Sequence, residues 1–332
     1  MGSPPPAARV LDLAHGAAHT HILGALARLG IADHVADQPR SVAELASATG
    51  AVPDRLDRLL RAATVLGLVQ RTADGMITMT EVGACLRTGP GSMRDFALML
   101  AAPGQLRPLE HLSEAVRGEA AAEATLGQPL WAYYREHPDE GAAFAGAMSG
   151  VSAMIAGQVA AAADVAAARC IVDVGGGHGT LLRAMLATAP QAAGVLLDLP
   201  EVVAAAPPAE RIQFTGGDFL ASVPAGGDVY VLCHVLHDWD DEIALQIVRN
   251  CFRASRPGGS LVVIEYLLPT PPEPSLSYLM DILMMTVEAG GERTREDFQT
   301  LMASAGYQFS REVPVTSPGR ALPQRVLEFR RV

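Results

Sequence analysis

The densest polar run in the chain is Cys233-His-Val-Leu-His-Asp-Trp-Asp-Asp241, directly after an apolar stretch that reads as a strand. His237 is its candidate general base, because a neutral imidazole takes a hydroxyl proton near physiological pH. Strand-end histidines are usually structural, and His234, nearer the strand, is read that way. Asp238 follows His237 directly, but adjacent residues need not face each other, so the two are not paired. Asp240 or Asp241 is expected to cap the helix that starts at Glu242. Glu265 ends VVIEYLLP, and a carboxylate in so apolar a run is costly unless paired. The His237 imidazole would be a good partner, oriented and made more basic by the charge. Glu292, in Gly290-Gly-Glu-Arg-Thr294, is a second candidate, although Thr294 with Asp297 also looks like the start of a helix. Met148, Met280, Met284 and Met285, with Phe144 one turn before Met148, would make a pliable wall for a flat aromatic substrate. Core packing explains any one of them equally well.

These groups need a scaffold, and the run Ile171-Val-Asp-Val-Gly-Gly-Gly-His-Gly-Thr-Leu-Leu182 supplies its centre. A buried strand, a glycine turn and a helix from Thr180 to Ala189 make a nucleotide-binding corner. The dinucleotide fingerprint needs a glycine at the sixth position, where this chain has Thr180. The series Gly175, Gly177, Gly179 instead resembles the S-adenosylmethionine-binding turn of Rossmann-like methyltransferases. Asp198 ends the next strand, 21 residues beyond Gly177, where an acid can accept both ribose hydroxyls of an adenosine. The plainer alternative is a strand-end cap. Asp218, after a third strand, could accept from an adenine amino group while Phe219 packs on the ring; a turn aspartate beside a core Phe is the alternative.

Three regions follow from the patterning. Residues 1–100 are helical, with a capping box at Ser41-Val-Ala-Glu44 and an apolar helix face of Leu56, Leu59, Leu60 and Ala63. Asp74-Gly75 between short apolar runs signals a hairpin, and helices followed by a hairpin make a winged-helix pattern. Residues 101–165 read as a helical linker contributing to the substrate site. From 166 to 332, strands at 171–174, 194–198, 212–216, 228–233 and 260–267 alternate with helices, and strands near 308–315 and 325–331 close the chain. The fold class is α/β: a mostly parallel, doubly wound sheet that binds ligand beyond its strand ends.

The chain has 332 residues, 49% of them hydrophobic, with a formal net charge of −11. All 25 cationic residues are Arg. This charge argues against broad nucleic-acid binding, and the winged helix is read as a structural module although Arg55, Arg58 and Arg61 lie on its second helix. No apolar run is expected to reach the roughly 18 residues of a membrane span. Met1 to Ala8 reads as a frayed tail. The cysteines at 85, 170, 233 and 251 have no metal-ligand spacing and suit a cytoplasmic protein.

Taken together, FAGAM at 144–148, VDVGGGHG at 172–179, DLP at 198–200, GDF at 217–219, LHDW at 236–239, Glu265 and GGERT at 290–294 resemble the plant caffeate-type O-methyltransferases and their bacterial relatives of antibiotic and polyketide pathways. The resemblance covers nearly the whole chain. It implies a Rossmann-like methyltransferase domain behind a winged-helix dimerisation domain, and an intertwined homodimer whose N-terminal helices help close the partner's site. It places the catalytic base at His237, flanked by Glu265 and Glu292. It places cofactor contacts at Asp173, Gly175, Gly177, Asp198, Leu199, Asp218, Phe219, Cys233 and Trp239, and substrate contacts at Phe144, Met148 and Met284. Plant members carry Lys where this chain has Cys233, which cannot supply the same charge. The expected activity is S-adenosylmethionine-dependent methylation of a phenolic hydroxyl on a secondary metabolite, needing no metal because the base sits on the protein. Near-attack positioning would supply much of the rate. Rival readings are N-methylation, non-methylating chemistry on the same scaffold (decarboxylation, hydroxylation or pericyclic reaction), and a winged-helix regulator.

Overall fold

In the computed structural model, which describes residues 5–89, 91–287, 290–315 and 324–332, the chain divides into two units. One joins Met1–Leu106 to Tyr134–Gly150; the other joins Arg107–Tyr133 to Val151–Val332. The stretch 101–165 is thus shared between them.

In the first unit, Ser41 begins the helix Val42–Thr49 through the expected capping box, its side chain accepting from the Glu44 N–H while the Glu44 carboxylate accepts from the Ser41 N–H. The helix Pro53–Val65 buries Leu56, Leu60 and Ala63, with Leu59 half-buried against the same core. Strands β1 (Val69–Arg71) and β2 (Ile77–Met79) pair antiparallel around the Asp74-Gly75 turn. Gly75 has φ +82° there, a conformation glycine adopts without steric cost. Asp57 forms ion pairs with Arg61 and Arg71, so part of that helix's basic face is neutralised within the unit. The first helix runs Pro6–Ala14, which corrects the expected tail to Ala8: Pro6 occupies a first-turn position whose missing N–H costs nothing. Residues 1–4 lie outside the described residues.

The second unit is built on a seven-stranded sheet of β3 (Cys170–Val174), β4 (Ala193–Asp198), β5 (Ile212–Gly216), β6 (Val229–Cys233), β7 (Ser260–Tyr266), β8 (Tyr307–Pro314) and β9 (Gln324–Arg331). Its order is β5-β4-β3-β6-β7-β9-β8. The first five strands are parallel, and β9 runs antiparallel to both β7 and β8. Strand alternation divides the core between the two faces of the sheet. Ile171, Leu196, Val231 and Ile264 pack with Leu182, Met185 and Val159 on one face. Val172, Leu197, Leu232 and Val263 pack with Ile247, Phe298 and Met302 on the other. Burial on both faces is what parallel strands covered by crossover helices require. The order reverses between β3 and β6, so the crevice beyond their carboxyl ends is the ligand-binding switch point of such a sheet.

One expectation is corrected here. The helix Pro138–Ala162 has 25 residues and is long and apolar enough, by length and composition, to cross a membrane. Ile155, Ala156, Val159 and Ala160 of this helix are buried in the second unit's core.

Candidate active site

The glycine turn is shaped by backbone conformation. Gly175, Gly177 and Gly179 have φ of +72°, +56° and +78°, matching the alternating series read in the sequence. Gly176 has a different reason to be glycine: a Cβ there would sit 2.6 Å from Asp173 Oδ2. Gly175 N–H donates to Leu197 C=O (2.8 Å), and Gly179 is the N-cap of the helix Thr180–Thr188. Asp198 ties β4 to this turn, its Oδ2 accepting from Gly177 N–H and its Oδ1 from Leu199 N–H, both at 2.7 Å. Burial raises the Asp198 carboxyl above its usual range, against these two donors. Asp173 is fully buried, and its Oδ2 has no hydrogen-bond partner. Burial, then the nearby Asp198 charge, pushes it up to about 7. Asp218 is exposed, and its Oδ1 accepts from Leu220 N–H (2.8 Å), the local role a turn aspartate has. Phe219 and Trp239 meet edge to face at 6.1 Å. The Cys233 thiol is raised well above its usual range by burial and by the charges of Asp173 and Glu265, so it supplies no charge where the resemblance expects a lysine.

His237 sits on a 3₁₀ turn, Leu236–Asp238, just past β6. The ring is buried, with Nδ1 donating to Glu292 Oε1 at 3.0 Å and lying 3.2 Å from Glu265 Oε2. A single N–H points at one acceptor, and the hydrogen bond goes to Glu292. Glu265 is wholly buried and spends Oε1 on Val235 N–H (3.2 Å) and Leu236 N–H (3.0 Å). It therefore holds the turn that carries His237 and places negative charge beside the ring. Asp238 corrects the sequence reading: Oδ1 lies 3.5 Å from His237 Nε2, because the 3₁₀ turn folds adjacent side chains together. Burial opposes a charge on His237, yet Glu265, Asp238 and Glu292 together raise it to about 10. Burial raises Glu265 above the usual carboxylate range, and the imidazole beside it works against that rise. His234 is half-buried, at the non-glycine φ of +54°.

The segment after Gly290 closes the far side. Gly291 N–H donates to His237 C=O (2.9 Å), and a Cβ on Gly290 would fall 2.1 Å from that same oxygen. Glu292 N–H is held by Asp281 Oδ1 at 2.9 Å. Arg293 is buried and reaches Leu236 C=O (2.7 Å), Trp239 C=O (2.8 Å) and Asp241 Oδ1 (2.8 Å), clamping both ends of the His237 turn. Sequence reasoning missed this clamp; the signal available was one cation beside Glu292 in a glycine-led segment. Asp240 proves to be the cap of the following helix, accepting from Ile243 N–H, and Thr294 with Asp297 forms a capping box. Phe144 and Met148 are half-buried in the first unit, where Phe144 packs on Tyr134 at 5.2 Å; Met284 is half-buried in the second. His237, Glu265 and Glu292 also offer three ligand atoms within 4.8 Å of one another, a set that could hold a divalent cation.

Known proteins match most of the chain. The O-methyltransferase domain matches residues 109–308 and the O-methyltransferase dimerisation domain residues 11–89. The chain belongs to this O-methyltransferase family. It is 36% identical to a phenazine O-methyltransferase of Lysobacter antibioticus over 95% of each chain. Its fold is similar to the crystal structure of LaPhzM, with a TM-score of 0.94, 36% identity and coverage of 99% and 100% of the two chains. It is also similar to an O-methyltransferase of neocarzinostatin biosynthesis, NcsB1, solved with S-adenosylmethionine and 2-hydroxy-5-methyl naphthoic acid, with a TM-score of 0.79, 33% identity and coverage of 95% and 96%. The O-methyltransferase described here uses S-adenosylmethionine, and its dimerisation domain supports a homodimer. The glycine turn fits that cofactor: side chains on Gly175 or Gly176 would collide with Val235 or Asp173, and a buried Asp173 oxygen is left unpartnered beside the turn.

Proposed function

We propose that this O-methyltransferase methylates a phenolic hydroxyl of a bacterial aromatic secondary metabolite, with His237 as general base. The observation that carries the proposal is the orientation of the imidazole: Nδ1 is occupied between Glu292 and Glu265, which leaves Nε2 as the nitrogen that can take a proton. The two carboxylates, with Asp238 beside Nε2, stabilise the imidazolium that forms when it does. Asp173, Gly175, Gly177, Asp198, Leu199, Asp218, Phe219, Cys233 and Trp239 would hold the cofactor at the switch point. When bound, the cofactor supplies a sulfonium methyl group open to in-line attack by the acceptor oxygen. Phe144, Met148 and Met284 would bound the aromatic ring. The first helix buries none of its residues and exposes Val10, Leu11 and Leu13 at 65%, 62% and 63%; this supports an intertwined dimer in which it covers the partner subunit. Four free thiols suit a reducing compartment.

The pH profile tests the base. Only the unprotonated imidazole accepts a proton, and its neighbours raise it to about 10. The rate is therefore expected to climb from neutral into alkaline pH. Glu292→Gln removes one of the charges that raise it. The acid limb should then move to lower pH by roughly one unit, while the maximal rate falls because the base is weaker. An acid limb that stays in place in the variant would show that the Glu292 charge does not act on the rate-controlling group.

A further inference from the structure

His234 has no part in the proton transfer described above, yet its placement is exacting. It is a non-glycine residue at φ +54° among the described residues, a conformation that costs a side-chain-bearing residue of order 1 kcal/mol. Its ring lies nearly parallel to two others. His237 lies at 5.7 Å with 13° between the planes, and Tyr266 at 5.0 Å with 5°. At its edge, Gln324 Nε2 lies 3.0 Å from His234 Nε2, within hydrogen-bond distance. The column His237–His234–Tyr266 thus joins the turn after β6 to the end of β7 and the start of β9.

We infer that His234 is a positioning residue for methyl transfer: an aromatic ring that fixes the plane of His237 and presents its π-face to the imidazolium formed there. This rests on the reading of His237 as the base. Glu292 sets one edge of the His237 ring, but an edge contact alone lets the ring rotate about it, and a stacked face removes that freedom. A neutral aromatic face beside a developing cation also favours the charged form. The groups facing His237 are Glu265, Glu292 and Asp238; those facing His234 are His237, Tyr266 and Gln324, with Cys233 next in the chain. Burial and the His237 charge push His234 down to about 3, so it does not compete for the proton.

Imidazole nitrogen–proton NMR on the histidine-labelled dimer tests this without needing the natural acceptor. His237→Ala assigns the His237 signals, and methyl transfer by that variant separately decides whether His237 is the base. In the wild-type protein, His234 should show one neutral tautomer throughout pH 5–8. His234→Asn tolerates the backbone conformation but has no π-system, whereas His234→Phe keeps a ring. The His237 titration should fall by about half a pH unit in the Asn variant and stay near the wild-type position in the Phe variant. With a phenol that the wild type methylates, kcat should follow the same order and KM should change little. If His234 takes up a proton between pH 5 and 8, or if the His237 titration is the same in wild type and His234→Asn, the inference is overturned.

Discussion

His237→Ala is expected to lower kcat by about a hundred- to ten-thousandfold, the usual contribution of a positioned general base. S-adenosylmethionine binding should stay close to the wild-type value. The separation is the informative part. His237 lies on the turn after β6, whereas the glycine turn, Asp173 and Asp198 are set by β3 and β4. Removing the imidazole leaves Glu265 bonded to Val235 and Leu236 N–H, so the turn itself keeps its anchor. It also leaves Glu265 and Glu292 buried with no cation between them, and one of them should then hold a proton. Steady-state kinetics together with calorimetric titration of the cofactor checks both halves. A variant that retains methyl transfer at near wild-type kcat would remove His237 from the base role.

Gly290→Ala is expected to be nearly as damaging, although it adds only one methyl group. The Cβ would sit 2.1 Å from His237 O and 2.5 Å from Asp238 C. Both are backbone atoms, which cannot yield as the end of a flexible side chain can. The segment must withdraw, carrying Glu292 off Nδ1 and Arg293 off the carbonyls of Leu236 and Trp239. The strain should cost about 1–3 kcal/mol in stability, and kcat should fall into the range of the Glu292 variant or below it. Gly291→Ala is the internal control, since its Cβ meets only the Asp281 carboxylate, at 3.2 Å. Thermal unfolding and kinetics on both variants should rank Gly290→Ala as the more severe. Equal effects would mean that approach to the His237 backbone is not what requires glycine at 290.

The parts of this site that could be read from sequence obey local rules. Short apolar runs gave the strands, and their alternation with helices implied a mostly parallel sheet covered on both faces. Gly175, Gly177 and Gly179 stood out because positive φ selects glycine at each position. Glu265 was legible because a carboxylate in an apolar strand demands a partner. What could not be read depends on approach between distant segments. Which glutamate takes the His237 hydrogen bond is decided by a segment 55 residues away. The Arg293 clamp and the contact at Gly290 depend on the same approach. Asp238 was left unpaired because sequence adjacency does not reveal the 3₁₀ turn that folds it back onto Nε2. Asp218 takes the plainest local chemistry, accepting from Leu220 N–H.

The central claim is that this chain moves a methyl group from S-adenosylmethionine to a phenolic oxygen. Isotopically labelled cofactor, incubated with the purified dimer and a panel of phenols and naphthols, tests it most directly. The account predicts a product heavier by one labelled methylene, bonded to oxygen, with one S-adenosylhomocysteine released per transfer. Loss of a carboxyl group, gain of oxygen, rearrangement without mass change, or labelled methyl on nitrogen alone would contradict it.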